Sequence, residues 1–320
     1  MSKFKTSVVM CTYNGEKYVE EQLNSIINQT VIPGEIIIQD DCSTDNTEKI
    51  ILNFIKENNK KISIIFDKNE KNLGYFKNFE KAIKKAKNDI IFLSDQDDVW
   101  IDNKIEKILD QFYKDENIGF VFSNAYLVNS KLEKLNHDFW KGKKFSNKIS
   151  KQLKILLKQN VVTGATMAFK KEFSHLFLPF PKEGVHDYWI SLVLVSNNIP
   201  GLFIDKKLIY YRQHENNAIG GIKKKKKIRE RLVKNPNAFL RDIKMFKHLY
   251  EKTKNKKIKN KIILLSFRNN LNNSNSFSLY LLYFFLINIF NLNYLKYSSG
   301  FKQIFKDLYL ILFKRNEKNV

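Results

Sequence analysis

Residues 92–100 read FLSDQDDVW and follow Ile90 and Ile91, so a β-prone apolar run ends in Asp95, Asp97 and Asp98. A short run of Ile, Phe and Leu without alternation is the pattern of a strand covered on both faces, as in the middle of a parallel sheet. Three carboxylates at its end repel one another, and each holds its proton more tightly unless something positive sits among them. A bound metal, a lysine or arginine, or a helix N-terminus can play that part. Asp98 or Asp102 can cap the helix announced by Ile105, Ile108 and Leu109, but one aspartate suffices for a cap and three are present.

The same pattern recurs on both sides of this stretch. β-branched runs occupy 7–11, 35–39, 62–66 and 118–122, and helical patterns lie between them. Val19, Leu23, Ile26 and Ile27 share one face, as do Ile50, Ile51, Phe54 and Ile55, and then Phe76, Phe79, Ile83 and Ala86. Asp45 with Glu48 three residues on predicts a capping box. Such alternation predicts an α/β fold with a mainly parallel sheet flanked by helices. Ligands then bind beyond the carboxyl ends of the strands. Thr12, Tyr13, Asn14 and Gly15 follow the first strand, Asp40 and Asp41 end the second, and the aspartates of FLSDQDDVW end the fourth. Past residue 125 the pattern loosens. VVTGATMAF (161–169) reads as a turn into a strand, GVHDYWISLVLV (184–195) as a loop entering a helix, and LIYYRQHENN (208–217) as a strand leaving the core.

The formal charge of +23 over 320 residues suggests a nucleic-acid partner until it is divided. Residues 1–220 hold 32 Lys and Arg against 28 Asp and Glu, whereas residues 221–320 hold 24 against 5. The excess therefore belongs to a tail, and the run Lys223–Lys227 marks its start. The expected division is a catalytic domain over 1–221 and a basic helical extension over 222–320, with no nucleic-acid partner. The chain enters a strand-like run within six residues of its start, and Cys11 and Cys42 lie at strand ends. Both features suit a cytoplasmic protein with reduced cysteines.

Hard carboxylate ligands suit Mg²⁺ or Mn²⁺, which complete their shells with phosphate oxygens and water. No G-x-G-x-x-G follows the first strand, and no G-x-x-x-x-G-K-[ST] occurs anywhere. A cation in place of glycine-loop amides points to metal-assisted departure of a nucleotide diphosphate.

SVVMCTYNG, EIIIQDDCSTDNT, NLGYFKNF, FLSDQDDVW and HDYW stand in the order seen in glycosyltransferase family 2, which this chain resembles from residue 5 to about 220. HDYWISL and YYRQHENNAIGG resemble the rhamnosyltransferase-like members that build bacterial surface polysaccharides. The resemblance implies a GT-A fold, a nucleotide-sugar donor such as a UDP- or dTDP-sugar, a divalent metal and inversion at the anomeric carbon. It implies that Thr12, Tyr13 and Asn14 line the nucleotide pocket with Asp95, and that Asp41 contacts the base. Asp97, with Asp95 and His214, would hold the metal, and Asp187 would be the general base. The chain departs from the family pattern at His186, where many relatives have Glu, and at Gln39, where an apolar residue is common. Tyr188 and Trp189 read as core aromatics, and Lys77 as a solvated lysine. The rival readings are a non-catalytic basic protein retaining a nucleotide-binding fold, and a nucleotidyltransferase.

Between Asn269 and Leu295 no residue is charged, and Phe277–Phe290 is nearly all apolar. Fourteen residues fall short of the roughly 20 that span a bilayer core. Farther on, Phe301, Ile304, Phe305, Leu308, Ile311 and Leu312 recur at helical spacing, with Lys302 and Lys306 opposite. This combination predicts an extension lying on an anionic membrane surface. The resemblance to the family implies in addition a saccharide or lipid-linked saccharide acceptor, and so a place at the inner face of the membrane.

Overall fold

The structure, a computed structural model, describes residues 4–139, 153–214, 236–273 and 279–313. They form two compact units. The first comprises 1–151, 162–180 and 185–222, and the second comprises 152–161, 181–184 and 223–320. The boundary expected beside Lys223–Lys227 lies outside the described residues. Two short segments from the middle of the chain, which the contiguous division at 221 leaves in the first domain, cluster with the second unit.

The first unit is built on one sheet. Its strands are β1 (Thr6–Thr12), β2 (Glu35–Asp40), β3 (Ser63–Lys68), β4 (Ile90–Ser94), β5 (Val99–Trp100), β6 (Phe120–Val128), β7 (Lys134–Asp138), β8 (Met167–Lys170) and β9 (Gly201–Arg212). The order is β3-β2-β1-β4-β8-β6-β9-β5, with β7 on β6. The half made by β3, β2, β1 and β4 is parallel, as the strand–helix alternation predicts. The other half is mixed. β9 runs parallel to β6, while β8 lies antiparallel between β4 and β6, and β5 is antiparallel to β9. Periodicity locates strands and their buried faces, but a strand reached through a short turn, as β8 is through Gly164–Thr166, can insert in either direction.

Helices α1 (Val19–Ile27), α2 (Thr47–Asn58), α3 (Tyr75–Lys85) and α4 (Lys104–Lys114) join the parallel strands. Each buries the face its sequence period marks. Val19, Leu23 and Ile26 of α1, and Ile105, Ile108 and Phe112 of α4, are fully buried. Each such aliphatic or aromatic side chain contributes about 1.5–3 kcal/mol. The capping box does not form. Asp45 Oδ1 accepts the Thr47 N–H at 3.0 Å, but Glu48 turns away to pair with Lys68 at 2.7 Å. The His186–Ser196 helix is buried along all of its length but the last residue, which is why its sequence is apolar on every side.

The second unit is helical, with helices over Leu153–Lys158, Pro236–Thr253, Lys256–Asn273, Leu279–Phe290, Asn293–Tyr297 and Phe301–Phe313. Among the described residues no helix is long and apolar enough to cross a membrane. Tyr283, Leu286 and Phe290 stay exposed on the Leu279–Phe290 helix, and Phe301 and Phe305 on the last one.

Candidate active site

Register places Thr12 opposite Asp40 and Met10 opposite Ser94, so the ends of β1, β2 and β4 meet at one edge. Thr12 Oγ1 donates to Asp40 Oδ2 at 2.7 Å, and Asp40 also accepts the Ser43 N–H and hydroxyl. Asn14 takes a left-handed conformation (φ 47°), and its side-chain oxygen accepts the Thr44 N–H at 2.9 Å. The phenol ring of Tyr13 is exposed, while its backbone N–H and C=O are both bound by the Gln96 amide, at 2.8 and 2.9 Å. Gln96 stands between the two aspartates Asp95 and Asp97, so it clamps the carboxylate loop to the end of β1. A Cβ at Gly15 would fall 2.2 Å from Gln96 Oε1, which explains a glycine there. Asp41 is buried and accepts three bonds, from the Asn69 amide at 2.8 Å and the N–H groups of Leu73 at 2.7 Å and Gly74 at 2.8 Å. It thereby orders the loop that leads into α3.

The carboxylate cluster is short of positive charge. Burial, followed by the charges of Asp97 and then Asp187, pushes Asp95 up to about 7. Asp98 is raised for the same kind of reason. Its Oδ1 accepts the Arg212 N–H at 3.0 Å, and its Oδ2 has no hydrogen-bond partner among the described residues. The helix-cap explanation fails. α4 starts at Lys104 behind Asn103, and no side chain caps it.

The protein supplies part of the missing charge. Lys104 is fully buried, lies 3.6 Å over the Trp100 ring and donates to the Ala165 carbonyl at 2.7 Å. Burial lowers its proton affinity, and the charges of Asp98 and Asp95 oppose that shift, which places the ammonium within their field. Arg212, 2 % exposed, comes from the end of β9. Its Nε donates to the Asp97 carbonyl at 2.7 Å, its other nitrogens reach the Ser130 carbonyl and Glu21, and its guanidinium stacks 4.4 Å from the Tyr18 ring. Two residues on, His214 Nε2 lies 2.8 Å from Asp97 Oδ2, and its ring packs against Tyr18. The phenol of Tyr211, on the same strand, is pushed up by burial and then by Asp98, Asp95, Asp97 and Asp187.

Of the expected metal ligands, Asp97 and His214 are in contact. Among the described residues no three His, Cys, Asp or Glu side chains converge on one point, so Asp95 stands beside this pair without completing a three-ligand set. Asp97 Oδ2 and His214 Nε2 are in hydrogen-bond contact at 2.8 Å, so two donors suited to a divalent cation stand side by side, and Asp95's high proton affinity marks a place where a cation is favoured.

Asp187 lies in the first turn of its helix, one residue past the start, where Val185 is the N-cap. Its Oδ2 accepts the Gly164 N–H at 2.7 Å and its Oδ1 the Tyr188 N–H. His186 is buried with neither ring nitrogen hydrogen-bonded among the described residues, stacked 4.0 Å from the Phe79 ring, and burial pushes it down to about 3. It is therefore a neutral, packed ring at pH 7. Gln39 is also buried, but its amide is bonded to Asp67, Asn69 and Lys85. Tyr188 and Trp189 are core residues as expected, with Trp189 Nε1 donating to the Phe177 carbonyl at 2.9 Å. Lys77 keeps about a third of its side chain exposed, 34 %. It bridges Glu80 at 2.6 Å and the Phe180 carbonyl at 3.0 Å.

Sequence reasoning missed Lys104, Arg212, Gln96, Gly164 and Tyr211. Arg212 and Tyr211 precede His214 on one strand, which offered a signal. Lys104 offered none among 56 Lys and Arg residues.

The sequence profile of Glycosyl transferase family 2 matches residues 7–177. The chain is 33% identical over 224 residues to the dTDP-rhamnosyl transferase RfbG of Shigella flexneri, covering 66% of this chain and 73% of that protein. It is 30% identical over 233 residues to the glycosyltransferase MJ1057 of Methanocaldococcus jannaschii, covering 71% and 77%. Among solved structures, the mannosyltransferase PcManGT of Pyrobaculum calidifontis, in complex with GDP-Man and Mn²⁺, superposes with a TM-score of 0.54 at 15% identity, over 96% of this chain and 85% of that one. The S. aureus TarS 1–349 complex with UDP-GlcNAc gives 0.53 at 19% identity, over 83% and 72%. The sheet with its flanking helices is thus the GT-A fold, and the matched profile, spanning more than half of the sequence, makes this chain a member of glycosyltransferase family 2.

Proposed function

We propose that the protein is an inverting, metal-dependent glycosyltransferase. It moves a sugar from a UDP- or dTDP-sugar to a saccharide or lipid-linked saccharide acceptor in surface-polysaccharide synthesis. The observation that carries the reading is the Asp97–His214 pair at 2.8 Å, set in a carboxylate cluster where Asp95 is pushed up to about 7. A cluster so short of positive charge favours a divalent cation, Mn²⁺ or Mg²⁺, held by Asp97 and His214 with Asp95 beside them. When bound, such a cation neutralises the charge that develops on a departing diphosphate.

The remaining steps belong to the chain's own residues. Thr12, Tyr13 and Asn14 form one wall of the nucleotide pocket. Asp41 holds the 69–74 loop and faces the base. Asp187 accepts the proton of the acceptor hydroxyl as that oxygen attacks the anomeric carbon from the side opposite the diphosphate, which inverts the configuration. The Gly164 and Tyr188 N–H groups fix the carboxylate's orientation before the acceptor arrives.

The second unit supports a location at the inner face of the membrane. Residues 221–320 carry a net +19, and Phe290, Phe301 and Phe305 are at least two-thirds exposed. Basic groups draw the unit to an anionic surface, and exposed aromatics insert at its edge. The test is calorimetric titration of the full chain with UDP- and dTDP-sugars, in Mn²⁺ and in EDTA, alongside a transfer assay. Donor affinity that is the same in EDTA would remove the metal from the reading. Absence of binding to every nucleotide sugar would remove the donor.

A further inference from the structure

We infer that His186 is a positioning residue for the acceptor base: its ring backs the Gly164 turn, whose N–H holds the Asp187 carboxylate in place. The inference rests on the reading of Asp187 as that base. It goes further by assigning the side chain that fixes the base's orientation.

The imidazole is boxed between α3 and the Gly164–Thr166 turn. Phe79 of α3 lies against one face, with ring centroids 4.0 Å apart and planes 22° from parallel, and Tyr75 meets the ring edge-on at 6.0 Å. On the other side a Cβ built on Gly164 would fall 2.3 Å from His186 Nε2, and the three atoms nearest to that position all belong to His186. The Gly164 N–H donates to Asp187 Oδ2 at 2.7 Å. The ring therefore touches the very residue whose backbone binds the carboxylate. The rest of the turn is tied down elsewhere. Lys104 donates to the Ala165 carbonyl at 2.7 Å, and the Thr166 N–H and hydroxyl both bond the Thr163 carbonyl. With Ala165 and Thr166 held, the place of Gly164 is set by the ring it leans on.

The choice of side chain supports this role. His186 is 6 % exposed, and neither nitrogen has a hydrogen-bond partner among the described residues. Burying polar atoms unpaired is unfavourable, so a residue that only filled the core would do better as Leu or Phe. Leu lacks the flat face that Phe79 stacks on, and a phenyl ring reaches farther than imidazole and would press on the Gly164 backbone. Imidazole is flat and short enough for the gap, and in a close-packed interior a fit of that kind transmits position. Burial also keeps the ring neutral at pH 7, so it adds no charge beside the base.

The test uses the full chain labelled with ¹⁵N-glycine, because 11 glycines give few amide signals and Gly164→Ala identifies the one required. In His186→Ala, hydrogen exchange at the Gly164 N–H should quicken about tenfold, the factor that one ordinary hydrogen bond supplies. Exchange at Gly15, Gly34 and Gly119, whose N–H groups are bonded elsewhere in the same unit, should not change. Turnover is read as release of UDP or dTDP from a panel of UDP- and dTDP-sugars in Mn²⁺, with water as acceptor. Affinity for UDP and dTDP is measured by calorimetry. His186→Ala and Gly164→Ala should each lower turnover about tenfold or more, with nucleotide affinity within about twofold of the parent's. Combined, they should recover part of that loss, because the methyl group added at position 164 occupies space the ring has left. Val193→Ala, a buried change farther along the same helix, should lower the melting temperature and leave turnover alone. Equal quickening at all four glycines, unaltered exchange at Gly164, or a double variant whose loss is the product of the single losses would overturn the positioning role and leave Asp187 as the base. Parent-like turnover in Asp187→Asn would instead overturn the base reading, and the inference with it.

Discussion

At the scale of single residues, His186 and Asp187 show how neighbours with different surroundings take different roles. Asp187 has both oxygens oriented by backbone N–H groups, whereas His186 is buried with no hydrogen bond to either nitrogen among the described residues. Asp187→Asn is expected to lower turnover about 10²-fold or more, the usual scale for a general base, while donor affinity stays near the parent's. The amide nitrogen must face one of the two N–H groups, so a stability loss of about 1 kcal/mol should accompany it. Near-parent turnover at saturating acceptor would place the base elsewhere. His186 makes a pH prediction. Its pKa is about 3 in the folded chain against 6.5 as the ordinary value, so below 6.5 the unfolded chain binds a proton that the folded chain refuses. Its contribution to stability is therefore lost as pH falls from about 6.5 toward 3, at up to about 1.4 kcal/mol per pH unit. His186→Phe should remove that slope. Asp95, raised to about 7, acts in the opposite sense over part of the range, so the difference between variant and parent in denaturant titrations is the quantity to read. Parallel stability curves would show that the ring is not buried as a neutral group.

At the scale of elements, β9 organises the site more than any helix does. It runs parallel to β6 and pairs antiparallel with β5, which immediately follows the carboxylate loop. That pairing delivers Arg212 beneath Asp97 and His214 beside it. Arg212→Met leaves the Asp97 and Ser130 carbonyls without their charged donor, and should cost about 2–4 kcal/mol of stability by chemical denaturation. Arg212→Lys keeps the charge but cannot span three acceptors in one plane, so it should restore only part of that stability. In both variants Mn²⁺ affinity should fall more than affinity for the metal-free nucleotide. Equal losses in the two would mean that Arg212 supports the fold without positioning the Asp97–His214 pair.

At the scale of the whole molecule, the two units divide the charge and the apolar exposure between them. Deleting everything after Gly221 removes the +19 and the exposed aromatics, and the shortened chain should no longer sediment with anionic vesicles. Full-length binding should weaken at high salt and yet persist, because apolar insertion is not screened. The deletion has a second consequence. Leu156 and Leu157 are fully buried and belong to the second unit, so truncation bares them. The truncated chain should be poorly soluble, and replacing both leucines with Gln should recover soluble protein that binds nucleotide. A truncated chain that still sediments with vesicles would move the membrane contact to the first unit.

By itself the sequence determined the elements and their buried faces, because periodicity in apolar residues is a local property. Val19, Leu23 and Ile26 face inward as their spacing dictates, and FLSDQDDVW ends its strand in carboxylates. Ordered motifs also placed the chain in its family, since five short stretches in sequence order carry more information than any one carboxylate pair. Tertiary structure alone decided what lies among those carboxylates. Arg212 meets them only because β9 is drawn to β5, and the direction in which β8 enters the sheet leaves no period in its four residues. Contacts of this kind join residues a hundred or more positions apart, such as Arg212 with Asp97. Hydrophobic patterning sets which face of a strand is buried, and strand pairing sets which charged side chains share that edge.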